Sequence, residues 1–265
     1  MRERSLEVLG TGICEYCEHG DCFCNQGIYR NEDDLTLHNC DRRNSIVLYN
    51  VLLSLYESCG LNSKRNYKTS DYRGDKSRHA MEELKCLAED SDNLLGDNYY
   101  VYGPNGTQKT TICRAIGKGI LQNHLEQISR DHFGTNYVRY ISMGELMNLL
   151  IAENELDTDK IDSEKMYQLD KIRNCQVLFL DESFDNRKSK FSKTNTYAVS
   201  LLDLFIRKRL ESARFITVFI SNTPPEEIDT DIFGPSLVDL VDRECNHKLL
   251  FRDRYDEITR MRKTL

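Results

Sequence analysis

NYYVYGPNGTQKTTICRAIGKGI, residues 98–120, decides how the rest of the chain reads. It opens on a short apolar run, closes on apolar residues at helical spacing, and holds GPNGTQKTT (103–111) between them. The spacing G-x-x-x-x-G-K-[ST] marks a phosphate-gripping loop, and Gly103, Lys109 and Thr110 fall in register with it. Gln108 stands where the second glycine belongs. Exposed backbone N–H groups at a helix start, added to the helix dipole, hold phosphate oxygens. The predicted cradle is therefore Gly103, Pro104, Asn105, Gly106, Thr107, Gln108, Lys109, Thr110 and Thr111. Lys109 reaches the outer phosphates and Thr110 lends its hydroxyl to a magnesium ion. Because Gln108 just precedes the helix, it is expected to take ordinary right-handed angles with its side chain pointing outward. The alternative is a glycine turn beside a chance lysine.

Working outward, apolar runs at 98–102, 137–142, 176–181, 215–221 and 247–251 alternate with helical patterns such as TTICRAIGKGILQNHLEQIS, MGELMNLLIAENEL and TYAVSLLDLFIRKRLESA. That alternation predicts an α/β fold, a parallel five-stranded sheet flanked by helices. The strand runs are continuous, as suits a sheet covered on both faces. QVLFLDES ends a strand on Asp181 and Glu182, near the ligand crevice of such a sheet. Asp181 is expected to complete magnesium binding, and Glu182 to orient or deprotonate a water. Asn222, just past FITVFIS, is a candidate for holding that water or sensing the outer phosphate, although an asparagine in a loop is more often a turn former, as Pro224 and Pro225 support.

With 39% hydrophobic and 30% charged residues among 265, the composition is that of a folded, water-exposed protein. No apolar run nears the roughly 18 residues of a membrane helix, and MRERSLEVLG lacks a secretory apolar block. The expected setting is cytoplasmic, with no membrane partner. A net charge of -7 gives the chain as a whole no attraction for nucleic acid.

Ten cysteines in such a setting point to reduced thiols or metal ligands. Cys14, Cys17, Cys22 and Cys24 give C-x2-C-x4-C-x-C, enough thiolates for one tetrahedral zinc. Cys40 or His19 can replace one of them, and an iron–sulfur cluster or free thiols are the alternatives. Residues 1–60 then form a zinc-binding module with the helix SIVLYNVLLSLYES (45–58), 61–93 a linker, and 94–265 the nucleotide domain. Such a small, loop-rich segment cannot bury enough apolar area to fold alone, so a metal there is expected to stabilise a rigid surface.

Taken in order, GPNGTQKTT, VLFLDES, FIRKRLES, ISNTPPEEI and SLVDLVDREC resemble the motifs of AAA+ ATPases of the replicative helicase loader group, the DnaC and DnaI type with its phage relatives. The likeness spans roughly 94–255. It implies an ATPase that binds ATP, docks on a hexameric replicative helicase, self-associates through its AAA+ domains and places the helicase on single-stranded DNA. It further implies that Asn222 is the first sensor and Arg243 an arginine finger reaching a neighbouring subunit. A second sensor arginine is left among Arg252, Arg254 and Arg260. For DNA it offers Arg139, while the basic, aromatic stretch NRKSKFSKT (186–194), with Arg187, Lys188, Lys190 and Lys193 around Phe191, fits phosphates and a base better. Two other readings stand beside the loader: a transposition-type regulator and a non-hydrolysing adaptor crippled by Gln108.

Overall fold

The computed structural model describes residues 52–61, 76–124, 136–154, 163–184 and 196–252, together with the backbone of 28–30 and 37–39. Cys14, Cys17, His19, Cys22, Cys24 and Cys40 lie outside the described residues, as do the stretch 186–194, Arg254 and Arg260. The chain divides into two compact units, 1–58 and 59–265.

In the first unit, β1 (Ile28–Arg30) pairs antiparallel with β2 (Leu37–Asn39), Tyr29 opposite His38. Residues 52–58 are helical, and Leu52, Leu55 and Tyr56, three and four apart, are buried.

The second unit is built on a five-stranded sheet in the order β4-β5-β6-β3-β7, every pair parallel. The strands are β3 (Tyr99–Tyr102), β4 (Val138–Ser142), β5 (Val177–Asp181), β6 (Ile216–Ser221) and β7 (His247–Leu250). All six residues of β6 are buried, which explains the unbroken apolar runs. Helices α2 (Lys109–Asn123), α3 (Met143–Asn154), α4 (Ser163–Asn174) and α5 (Thr196–Leu210) make the crossovers. The short α6 (Thr230–Phe233) and α7 (Pro235–Glu244) return the chain to β7. Because β3 lies between β6 and β7 rather than beside β4, the chain order reverses there, and such a reversal opens a crevice at the strands' carboxyl ends.

Helix α1 (Arg78–Asp90), 13 residues long, lies within the stretch 61–93 expected as a linker. Its charged residues mask an apolar stripe, Ala80, Met81, Leu84 and Leu87, which is buried where α1 packs on α2.

Arg139, expected at a DNA phosphate, is instead on a strand interior and only 4% exposed. Its guanidinium donates to Cys59 Sγ at 3.4 Å, so it serves packing rather than a surface contact. The same turn covers the free edge of β4: Tyr140 N–H donates to Cys59 O at 2.9 Å. Gly60 makes that approach possible, since a Cβ there would lie 2.3 Å from Tyr140 O.

Arg209, from the basic run FIRKRLES, is also buried. It donates to the carbonyls of Ile172, Arg173, Cys175 and Ile216 and to Thr217 Oγ1, tying the end of α4 to the starts of β5 and β6. A buried charge needs this density of acceptors to offset its lost hydration.

Candidate functional site

The loop 103–108 leaves β3 and enters α2, whose first N–H groups have no partner within the helix. Gly103 is fixed by two requirements. Its φ of 147° lies where side chains are rarely tolerated, and a Cβ would sit 2.0 Å from Phe251 O, at the end of β7. Opposite it, Gly106 faces open space.

Gln108 overturns its expectation. Its φ is 66° and its ψ 13°, left-handed rather than helical, so it adopts the backbone that the usual glycine takes without cost. Position in the loop, not nearness to the helix, sets the conformation. Ile112 N–H still bonds Gln108 O at 2.9 Å, so the helix starts in spite of the reversal.

Lys109 is 6% exposed, and its ammonium donates to Gly103 O at 2.8 Å, Pro104 O at 3.0 Å, Thr107 Oγ1 at 3.2 Å and Asn222 Oδ1 at 3.1 Å. Thr110 Oγ1 lies 3.2 and 3.1 Å from the two carboxylate oxygens of Asp181. The loop, the end of β5 and the end of β6 thus meet in one open cleft of about 260 Å³, lined by Asn105, Thr107, Gln108, Lys109, Thr110, Asp181, Glu182 and Asn222.

Each wall is anchored from behind. Tyr100, buried in β3, donates its hydroxyl to Thr223 O at 3.0 Å and so holds the turn that carries Asn222. Glu182 and Phe184 both have left-handed backbones, φ 55° and 52°. That turn persists because Phe184 is fully buried against Tyr100, Phe219 and Phe233, while Ser183 N–H bonds Ile220 O at 2.9 Å. Glu182 is left exposed at the cleft.

Tyr140, which the sequence did not single out, donates its hydroxyl to Asp181 Oδ2 at 2.6 Å. Burial, and then the Asp181 carboxylate, push its phenol well above the usual tyrosine range, so it stays a protonated donor. Only the β4–β5 register, which sets Tyr140 two residues short of the position opposite Asp181, brings the two together. Behind the loop, burial raises the Cys113 thiol too, which makes it an inert packing residue.

Arg243 stands apart. It lies in the last turn of α7, 60% exposed, with Asp239 Oδ2 at 3.5 Å and Glu244 Oε1 at 2.9 Å. Arg252 follows β7, and its backbone N–H bonds Ser77 Oγ. Neither lines the cleft.

The donors suit a magnesium nucleotide. Thr110 and Asp181 offer hard oxygens, Lys109 a buried cation, and the α2 start an array of N–H groups. Residues 99–242, more than half of the chain, match the ATPase family associated with various cellular activities, AAA.

The chain belongs to the AAA family.

Membership brings the nucleotide-binding fold of an ATPase. Among solved structures similar to this AAA chain is the DnaC helicase loader, 16% identical with a TM-score of 0.51 over 71% of this chain and 97% of that one. DnaI is 15% identical with a TM-score of 0.50 over 76% and 97%. Domain III of the Thermotoga maritima replication initiation protein DnaA is 18% identical with a TM-score of 0.51 over 72% and 69%. Identities this low establish a shared fold. No curated protein matches the chain by sequence. Among the described residues no cluster of metal-ligating side chains forms, and no helix is long and apolar enough to cross a membrane.

Proposed function

We propose that this chain is an ATPase of DNA replication that loads a hexameric helicase onto single-stranded DNA. The observation that carries the ATPase part is the convergence of Lys109, Thr110, Asp181, Glu182 and Asn222 on one cleft, from three separate strand ends. The loader part leans on the fold shared with DnaC, which is itself a helicase loader, and with DnaI.

Bound ATP with magnesium supplies a phosphoryl group open to attack by water. Lys109 trades part of its loop contacts for the outer phosphates, and Thr110 with Asp181 holds the ion. Glu182 orients the water and takes its proton, its backbone held beside the cleft by the turn that Phe184 anchors. Asn222, already bonded to Lys109, faces the reacting phosphate. Arg243 reaches the nucleotide of a second copy, where a guanidinium stabilises developing charge. Cysteines 14, 17, 22 and 24, whose residue type suits one zinc, would belong to the part of the chain that docks on the helicase.

ATP turnover by the full chain, against Glu182→Gln, tests the enzyme: turnover lost with nucleotide affinity kept supports it. A wild-type protein that binds ATP and never hydrolyses it is the adaptor instead. Recovery of a ring helicase with the full chain, lost on zinc chelation, supports the loader; recovery of a transposase supports the transposition regulator.

A further inference from the structure

Asp181 is held at both of its carboxylate oxygens. Glu182 N–H donates to Oδ1 at 2.9 Å and Tyr140 hydroxyl to Oδ2 at 2.6 Å. Each oxygen keeps a further lone pair, and Thr110 Oγ1 is nearly equidistant from the two, at 3.2 and 3.1 Å. The carboxylate plane is therefore fixed by groups that are not themselves ion ligands, with its remaining lone pairs turned to the cleft.

Tyr140 has little freedom to hold anything else. Its ring stacks on Phe179 at 6.0 Å and 21°, the Arg114 guanidinium lies 4.7 Å over the ring centroid, and its backbone N–H is taken by Cys59. At 8% exposed, Tyr140 is buried, with Phe179 and Arg114 against its ring.

We propose that Tyr140 is a positioning residue for the divalent ion of this cleft: from the neighbouring strand its hydroxyl sets the rotation of the Asp181 carboxylate beside Thr110. The inference rests on the ATP–magnesium reading of the cleft. Magnesium demands near-ideal octahedral geometry at short distances, whereas calcium accepts flexible shells and longer bonds. A carboxylate freed to rotate thus penalises magnesium more than calcium, so Tyr140 also contributes to the choice of ion. Outer-shell partners of this kind change metal affinity by roughly 10–100-fold when removed.

The test uses the full chain and Tyr140→Phe, which deletes the hydroxyl and keeps the ring between Phe179 and Arg114. A fluorescent ATP analogue is titrated in EDTA, in magnesium and in calcium. Equal affinities in EDTA, a half-saturating magnesium concentration raised on the order of 10-fold, and a smaller rise for calcium support the proposal. Identical magnesium dependence in the two proteins overturns it. So does an equal weakening in all three conditions, which marks a disturbed cleft rather than a freed carboxylate. Tyr140→Leu adds the loss of the ring; a magnesium effect present in Leu and absent in Phe assigns the role to packing and overturns the hydroxyl's part. Failure of the wild-type chain to bind the analogue at all overturns the ATP reading, and this inference with it.

Discussion

Lys109 and Asn222, 113 residues apart in sequence, are joined by a 3.1 Å hydrogen bond from the lysine ammonium to the asparagine side-chain oxygen. The bond links the loop after β3 to the turn after β6, so the cation of the phosphate cradle and the polar residue facing it are set as a pair.

Asn222→Ala separates the pair from the fold. Lys109 has four acceptors for three N–H groups, so losing Asn222 Oδ1 leaves it satisfied, and the unfolding free energy stays within about 0.5 kcal/mol of wild type. ATP turnover falls about 100-fold, as expected for a polar group that acts on the reacting centre. Urea titration and a steady-state phosphate-release assay check the two arms; unaltered turnover removes Asn222 from the mechanism.

Gln108→Gly relieves a left-handed backbone that costs a side-chain-bearing residue about 1–2 kcal/mol, less the added flexibility glycine gives the unfolded chain. The net expectation is a gain of up to about 1 kcal/mol, or roughly 2–4 °C in Tm for a unit of this size. Gln108→Ala keeps the strained angle and gains nothing. Calorimetry of the three proteins decides, and a destabilised glycine variant contradicts the account.

Arg209→Met takes a donor from a group of buried carbonyls, those of Cys175 and Ile216 among them. An orphaned buried acceptor costs about 1–3 kcal/mol, so a loss of at least about 3 kcal/mol is expected in chemical denaturation. Arg207→Met, which removes partly exposed pairs with Asp203 and Glu211 and an exposed bond to Ser236 Oγ, costs under about 1 kcal/mol.

Stability falls in alkali. Burial raises the thiols of Cys113, Cys175 and Cys245 above their ordinary value of 9.0. Above pH 9 the unfolded chain releases those protons while the folded one keeps them, so the unfolded state binds fewer and stability declines with pH. Each group contributes up to about 1.4 kcal/mol per pH unit beyond that point, and none below it. The same burial shields these thiols from iodoacetamide in the folded state, whereas exposed Cys86 reacts at once. Denaturation at pH 7 and 10 and labelling by mass spectrometry test both statements.

The loop, the acidic pair and the sheet were legible because each is a local pattern: apolar run, glycine turn, lysine, helix. Asn222 was legible as a residue after a strand and through the family resemblance, whereas its bond to Lys109 comes from strand order, which no local pattern carries. Arg139 read as a surface cation, and the burial of Arg209 left no mark, because residue type says nothing about burial; the acceptors that admit them belong to distant segments. Gln108's hand escaped for a related reason, since it is imposed by closure of the whole loop, pinned at Gly103 by Phe251. Helix α1 was hidden by its charged face, although Ala80, Met81, Leu84 and Leu87 carry the helical spacing. Tyr140 left no mark in sequence, its importance lying in a neighbour on another strand.

The two left-handed residues around Ser183 have a kinetic meaning. Twisting Glu182 and Phe184 out of their preferred angles is work done once, when the chain folds and the aromatic side chain is buried. Any molecule that later enters the cleft meets a Glu182 whose backbone is already placed, and each visit proceeds without repeating that labour.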